Sequence, residues 1–334
     1  MLIEQPPSHQ NQTINLDRER FEQAYERVKC HTNTTPCPKS DLLSKEIGAE
    51  VFLKLENQQV SGSFKIRGVT NKVFSLSEDD RKKPLIAAST GNHGAAFAHI
   101  VSKLNLSGEL FVPENIAAVK REAIEKYGIP LTFAGTDCVE TELAASAHSA
   151  RGEGILIGPY NDIDIILGQG TIGIELMEQL GEVDFVFVPV GGGGLVSGIA
   201  AYLKSVASET QIIGCQPENS PVMFRSIQAG HIVAMESLPT LSDATAGGIE
   251  PGAITFDLCR ALVDEFVILS EDEIFSALRF LHLQEKIIAE GGAAMPVAAV
   301  RKSREHVKGK RVALVISGGK IDPSIIKKIG DSHE

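Results

Sequence analysis

The chain has no apolar run that reaches the roughly 18 residues a membrane helix requires. Its longest candidate, Ile287 to Val300, is broken by Glu290 and Pro296. Lys/Arg-rich blocks are also missing. The 32 basic residues stand against 43 acidic ones, for a net charge of −11, so the backbone of DNA or RNA would be repelled over most of the surface. Cysteine is scarce. Cys30, Cys37, Cys138, Cys215 and Cys259 are odd in number and widely spaced. They form no C-x-x-C pair for zinc binding or thiol exchange, which fits a reducing, cytoplasmic setting in which each is a small buried hydrophobe. The opening residues 1–15 lack the basic start and apolar core of a signal peptide and are expected to be a disordered tail.

What is present is an ordinary globular composition, 43% apolar over 334 residues, too long for one small domain. Short apolar runs alternate with segments of helical period. The runs Val51 to Leu55, Leu85 to Ala88, Leu110 to Val112, Leu131 to Phe133, Phe185 to Val190, Gln211 to Cys215 and Val312 to Ile316 each read as a buried parallel strand. Helices are expected over 94–104, 119–127, 139–150, 171–180, 196–207 and 273–288. An earlier helix carries Phe21, Tyr25 and Val28 on one stripe with Asp17 as its cap. The β-α alternation predicts an α/β protein with open twisted sheets and helices on both faces. Punctuation at Pro84 and at Gly158-Pro159 predicts a small α/β domain, 84–160, inserted into a larger one made of 16–83 and 161–334.

Four segments can carry chemistry. Ser61-Gly-Ser-Phe-Lys-Ile-Arg-Gly68 is a small-residue loop that leads into a helix and presents Lys65 just inside it. A helix N-terminus and Arg67 nearby would favour the neutral, nucleophilic amine, although most lysines so placed are plain surface residues. Gly191, Gly192, Gly193, Gly194 and Leu195 follow a strand and open a helix, where backbone N–H groups can converge on a phosphate. Neither a P-loop lysine nor the third glycine of G-x-G-x-x-G follows, so the nucleotide motifs fail. Ser89-Thr90-Gly91-Asn92-His93 serves equally as a helix cap or as a carboxylate-binding loop. Ser317-Gly318-Gly319 ends the last strand, at the edge where α/β proteins place ligands.

Together these segments, from about Phe21 to Ile326, resemble the fold-type II pyridoxal 5'-phosphate (PLP) enzymes. That fold is tryptophan synthase β-like, and the nearest group is that of serine/threonine dehydratases and serine racemases. The resemblance implies that Lys65 forms the imine with PLP and that Phe64 lines one ring face. It implies further that Gly191 to Leu195 hold the phosphate, Asn92 bonds the ring hydroxyl, Ser317 bonds the pyridine nitrogen and Asn161 adds a polar contact. Ser89, Thr90, Gly91 and His93 would hold the substrate carboxylate. The implied activity is removal of water from a β-hydroxy amino acid such as L-serine, L-threonine or 3-hydroxyaspartate, giving a 2-oxo acid and ammonia, with a neutral Ser317 steering away from transamination. A cytoplasmic homodimer is the group's habit.

Departures from the group shape these expectations. Thr90 replaces the serine of the racemases, which makes racemisation the secondary reading. Gln216 and Val222 occupy positions where some members place cation-binding carboxylates, so no metal is expected. Lys320 stands where asparagine commonly follows Ser-Gly-Gly, and Ala244 where glycine is common. Glu290 reads either as a solvent residue at a helix C-terminus or as a neighbour of the cofactor. His93, Arg121 and Lys320 are the cations available for an acidic substrate. The run Pro217-Glu-Asn-Ser-Pro221 looks closer to dehydratases of the hydroxyectoine-utilisation branch, and feedback control by isoleucine is not expected. The remaining alternatives are β-replacement and a binding protein without turnover.

Overall fold

The computed structural model describes residues 16–116 and 118–331. The expected tail at 1–15 lies outside these residues. The chain opens with α1 (Arg18–Val28), capped by Asp17, whose side chain accepts from Arg20 N at 3.0 Å. Then come α2 (Asp41–Ile47), β1 (Glu50–Lys54) and α3 (Lys65–Ser75). A second group follows: β2 (Leu85–Ala88), α4 (Asn92–Lys103), β3 (Gly108–Val112), α5 (Ala118–Glu125), β4 (Leu131–Phe133), α6 (Cys138–Ala150) and β5 (Ile155–Leu156). The chain returns through α7 (Ile163–Leu180), β6 (Phe185–Pro189), α8 (Gly194–Val206), β7 (Gln211–Pro217), α9 (Val222–Ala229), α10 (Ile254–Leu262) and β8 (Glu265–Leu269). It closes with α11 (Glu271–Leu283), α12 (Gly291–Lys302), α13 (Arg304–Val307), β9 (Arg311–Val315) and α14 (Pro323–Asp331).

The strands form two sheets, ordered β1-β9-β6-β7-β8 and β4-β3-β2-β5. Every pairing within them is parallel, as in Val51 opposite Val312 and Leu85 opposite Gly108. Parallel strands need both faces covered. On the larger sheet, α2, α11 and α12 close one face and α1, α7, α8 and α10 the other. On the smaller sheet, α3 and α4 back one face and α6 the other. No helix among the described residues is long and apolar enough to cross a membrane.

The expected strands all form, within two residues at either end. Two more were not expected: β5 is only two residues long, and β8 is an edge strand. The helix expected from Thr171 begins eight residues earlier, at Ile163. Gly168 and Gly170 depress helix propensity there, but tertiary packing requires them. A Cβ on Gly168 would lie 2.6 Å from Gly68 Cα of α3, and one on Gly198 of α8 would lie 2.7 Å from Gly170 N. Helices α3 and α8 therefore both cross α7 at backbone contact. Their N-termini begin with Lys65 and with the last glycine of the tetrad.

Candidate active site

The loop into α3 is strapped to the segment after β9. Phe64 N donates to Ser317 O at 3.1 Å, Gly319 N donates to Gly62 O at 3.0 Å, and Ser63 bridges Gly318. The residue before Lys65 is thus bonded to Ser317, which lies just past the carboxyl end of β9. Phe64 packs against the α8-side core, with the Lys65 amine 5.2 Å from its ring centre. Lys65 Nζ donates to Pro159 O at 2.8 Å. Its pKa is lowered to about 8 by the protein packed around it, against the opposing charges of Glu290 and Glu142. Arg67, read from sequence as the residue favouring the neutral amine, is not the cause. Its guanidinium is bound to Glu56 and Glu175.

The tetrad turns from β6 into α8. Gly193, the residue before the helix, has φ +87°, and no side chain caps the first-turn amides, which leaves them open to an anion. A Cβ on Gly192 would fall 2.5 Å from Cγ of the Tyr160 ring. Tyr160 is fixed in turn by its hydroxyl, which accepts from Glu250 N at 3.0 Å. Since Pro159 carries the Lys65 amine and Tyr160 lies on Gly192, the lysine and the glycine loop flank two consecutive residues. Leu195 buries its side chain in the core, so only its backbone is available there. Asn161 Oδ1 accepts from Ile254 N at 2.8 Å, at the start of α10. It braces the wall, and Cys259 and Met223 lie behind Gly193.

The Ser89–His93 turn joins β2 to α4. Ser89 Oγ accepts from Gly91 N at 3.1 Å, and Gly91, at the helix start, gives no side-chain cap. Thr90 and Gly91 are half-buried in this turn. His93 is buried and its Nε2 lies 2.8 Å from Ile157 O. Burial and the nearby Lys65 charge lower its pKa to about 3, so the ring is neutral and is withdrawn from the list of available cations. Arg121 is likewise committed, to Glu125 at 2.6 Å and over the Phe133 ring.

Asn92 ties this turn to the others. Its Nδ2 donates to both Glu290 oxygens at 2.9 Å, and a Cβ on Gly318 would fall between them. Glu290 stands just before α12, a helix N-terminus rather than the C-terminus considered from sequence, and is 4% exposed. Burial raises its carboxyl to about 7, with Asp243 adding to the rise. Lys320 Nζ lies 3.5 Å from Gly91 O and burial lowers it to about 8. Ser317, 3% exposed, completes the floor. A cavity of about 450 Å³ adjoins Glu290 and Lys320. Gln216 is a strut: it donates to Val190 O and accepts from Phe224 N. Among the described residues no group of three or more His, Cys, Asp or Glu side chains could hold a metal.

The raised Glu290 carboxyl has a measurable consequence. A group protonated in the folded state but ionised when unfolded gives stability that is lost as pH rises from about 4.5 to about 7. Glu290→Gln in the cofactor-free protein should remove this loss and gain up to about 3 kcal/mol over wild type at pH 7.5. At pH 4 it should gain nothing. Thermal unfolding at the two pH values checks it.

The family described as "Pyridoxal-phosphate dependent enzyme" matches residues 28–318. The chain belongs to this family. It is 40% identical over 311 residues to an L-threonine ammonia-lyase of Thermotoga maritima, covering 93% of this chain and 77% of that one. It is 36% identical to a catabolic L-threonine dehydratase of Escherichia coli K12, covering 92% and 94%. The structure of maize serine racemase superposes with a TM-score of 0.87 at 27% identity, covering 95% and 97%. Membership makes pyridoxal 5'-phosphate the cofactor of this enzyme, and the residues present fit it. Side chains on the glycine loop would collide with its walls. Ser63 Oγ, Asn92 Oδ1 and His93 Nδ1 are buried polar atoms with no protein partner, as expected of a site built to receive a polar guest. Pro159, Tyr160 and Glu142 were missed from sequence. Pro159 and Tyr160 had only their place beside Asn161 as a signal, and Glu142, in α6, had none.

Proposed function

We propose that this enzyme is a dehydratase (ammonia-lyase) that removes water from a β-hydroxy amino acid, L-threonine or L-serine first among them. The observation that carries the reading is the Lys65 amine, its pKa lowered to about 8, held on Pro159 O one residue from the Tyr160 ring that covers Gly192. Bound here, pyridoxal 5'-phosphate supplies an aldehyde that condenses with amines and a ring that draws electron density from Cα. Lys65 would anchor it, Gly191 to Gly194 and the Leu195 amide would hold its phosphate, Phe64 would line a ring face, and Asn92 and Ser317 would bond its polar edge. Asn161 acts from behind by bracing α10.

The other residues then handle the substrate. Amides and hydroxyls of Ser89, Thr90 and Gly91 bind its carboxylate at the start of α4, with neutral His93 packed beneath them. Lys65 Nζ, once freed, takes the Cα proton, and the open Pro159 carbonyl orients it. The β-hydroxyl leaves as water, carrying off the proton that Lys65 took from Cα. A later water hydrolyses the released enamine, so the net products are a 2-oxo acid and ammonia. The two-domain division at 84 and 160 follows the boundaries of the smaller sheet, and a cytoplasmic homodimer completes the reading.

Purified protein supplied with cofactor should convert L-threonine or L-serine to 2-oxo acid and ammonia in equal amounts, and should keep full activity after exhaustive chelation. Cofactor uptake at Lys65 with no 2-oxo acid from any β-hydroxy amino acid would overturn the dehydratase reading. A racemase component rests on the Thr90 hydroxyl in the substrate loop. Thr90→Ala should then depress racemisation far more than elimination.

A further inference from the structure

Two residues after Lys65, Arg67 enters a cluster of charges that is closed to solvent. Arg67, Lys54 and Glu56 are 0% exposed and Glu175 is 1% exposed. The guanidinium forks twice. Nε and Nη2 donate to Glu56, both at 2.8 Å, and Nη1 and Nη2 donate to Glu175 at 2.6 and 2.8 Å. Thr171 Oγ1 and Asn33 O accept from the same group at 3.3 Å. Lys54 Nζ donates to Glu175 at 2.5 Å, to Thr35 O at 2.8 Å and to Gln179 at 2.9 Å. Two cations thus face two carboxylates, and the cluster is neutral.

Burying four charges is a poor way to gain stability, because desolvation cancels most of the attraction and apolar side chains of the same volume would serve as well. What such a cluster does specify is geometry, since a planar guanidinium held by two carboxylates admits one orientation. Here the orientation fixed is that of α3. Positions 65 and 67 lie roughly 160° apart around a helix. The face that drives Arg67 into α7 therefore turns Lys65 the opposite way, onto the Pro159 carbonyl. Lys65 is the first residue of α3 and Gly68 packs against Gly168 of α7, so any rotation of α3 about that contact swings the amine directly.

We propose that Arg67 is a positioning residue for the reaction: its double fork to Glu56 and Glu175 sets the rotation of α3 on α7 and so delivers the Lys65 amine to the glycine loop. This rests on the reading of Lys65 as the residue that anchors the cofactor. Lys54 belongs to the same cluster but sits on β1, so it shares the electrostatics without controlling α3.

The test compares Arg67→Gln with Lys54→Gln. Each removes one buried cation and leaves an amide able to donate, so both face the same charge imbalance. The readout is capture of pyridoxal 5'-phosphate by the cofactor-free protein. Capture is fixed with borohydride and counted as label on the Lys65 peptide by mass, across pH. Arg67→Gln should slow capture about 100-fold, the effect of misplacing a reacting group by about 1 Å, and should move its pH midpoint above about 8. Lys54→Gln should stay within about threefold despite a similar fall in melting temperature. Arg67→Lys, which keeps the charge but loses the fork, should fall between, about tenfold slower. It decides the matter if the glutamine variants do not fold. Equal slowing by Arg67→Gln and Lys54→Gln, or an unchanged Arg67→Lys, would overturn the proposal. Wild-type protein that takes no label at Lys65 would instead overturn the reading on which it rests.

Discussion

Replacing Lys65 by alanine should lower turnover by four or more orders of magnitude, the scale seen when the nucleophile of a covalent catalyst is removed. Lys65→Arg should fall as far. Arginine matches the length and the positive charge, but its guanidinium is never deprotonated in proteins, so it has no lone pair for an aldehyde or for a Cα proton. The pair therefore separates chemistry from packing: a structural lysine would tolerate arginine better than alanine, whereas an anchoring lysine tolerates neither. The wild-type amine, lowered to about 8 by its surroundings, also fixes a pH dependence. The neutral form grows as pH rises through about 8, so the rate of cofactor capture should climb up to that point and then level off. Stopped-flow absorbance on wild type and both variants checks all three statements. A Lys65→Arg enzyme with a tenth of wild-type turnover would contradict them.

Most sheet strands were legible as short, predominantly apolar runs between turn residues, the pattern of parallel strands covered on both faces. Of the two that were missed, one lacks that signal and the other, Phe266 to Leu269, carries it directly after the acidic pair Asp264-Glu265. Ile155–Leu156 is too short to show any period. Glu265–Leu269, at the sheet edge, alternates exposure with burial and starts on an acidic residue. Helix α12 was hidden for another reason. It begins Gly-Gly and carries Pro296 inside it, residues that ordinarily mark breaks, yet burial against the larger sheet outweighs their propensity.

At the proposed site, the sequence singles out the groups whose chemistry would be local, namely Lys65, the tetrad, the Asn92 turn and Ser317, and the structure brings them near one another. Sequence reasoning could not find what joins them, because those contacts span long stretches of chain. Lys65 meets Pro159 across 94 residues and Asn92 meets Glu290 across 198. Arg67 shows the converse failure. It is next but one to Lys65 in sequence, but helical geometry turns the two side chains to opposite sides, and its charge is spent on Glu56 and Glu175. Adjacency in sequence is not adjacency in space there. The same twist of α3 that defeats the sequence-level argument is what gives the site its geometry.

Gly192→Ala should nearly abolish cofactor retention through a single methyl group. The added Cβ would lie 2.5, 2.6 and 2.7 Å from Cγ, Cδ1 and Cδ2 of Tyr160, inside the ring rather than beside a flexible tip. Tyr160 has little room to retreat. Its hydroxyl is bonded to Glu250 N, its own backbone lies 3.0 Å from where a Cβ on Gly194 would stand, and its neighbours Pro159 and Asn161 are bonded to Lys65 and Ile254. The strain must therefore spread in one of two directions. If the glycine loop moves, the uncapped amides at the start of α8 lose their convergence on a phosphate. If the 159–161 segment moves, the acceptor for Lys65 shifts. Overpacking of this kind costs about 1–3 kcal/mol of stability. Either displacement, on the order of 1 Å, is enough for about a 100-fold loss in cofactor affinity. Gly62→Ala is the contrasting case: nothing lies within 4 Å of its added Cβ, and only the φ of +81° opposes it. It should lose stability by about 1 kcal/mol while holding cofactor within severalfold of wild type. Equilibrium dialysis of both variants, paired with thermal unfolding, separates the two. A Gly192→Ala protein that binds as tightly as wild type would mean that the loop does not close on the cofactor phosphate.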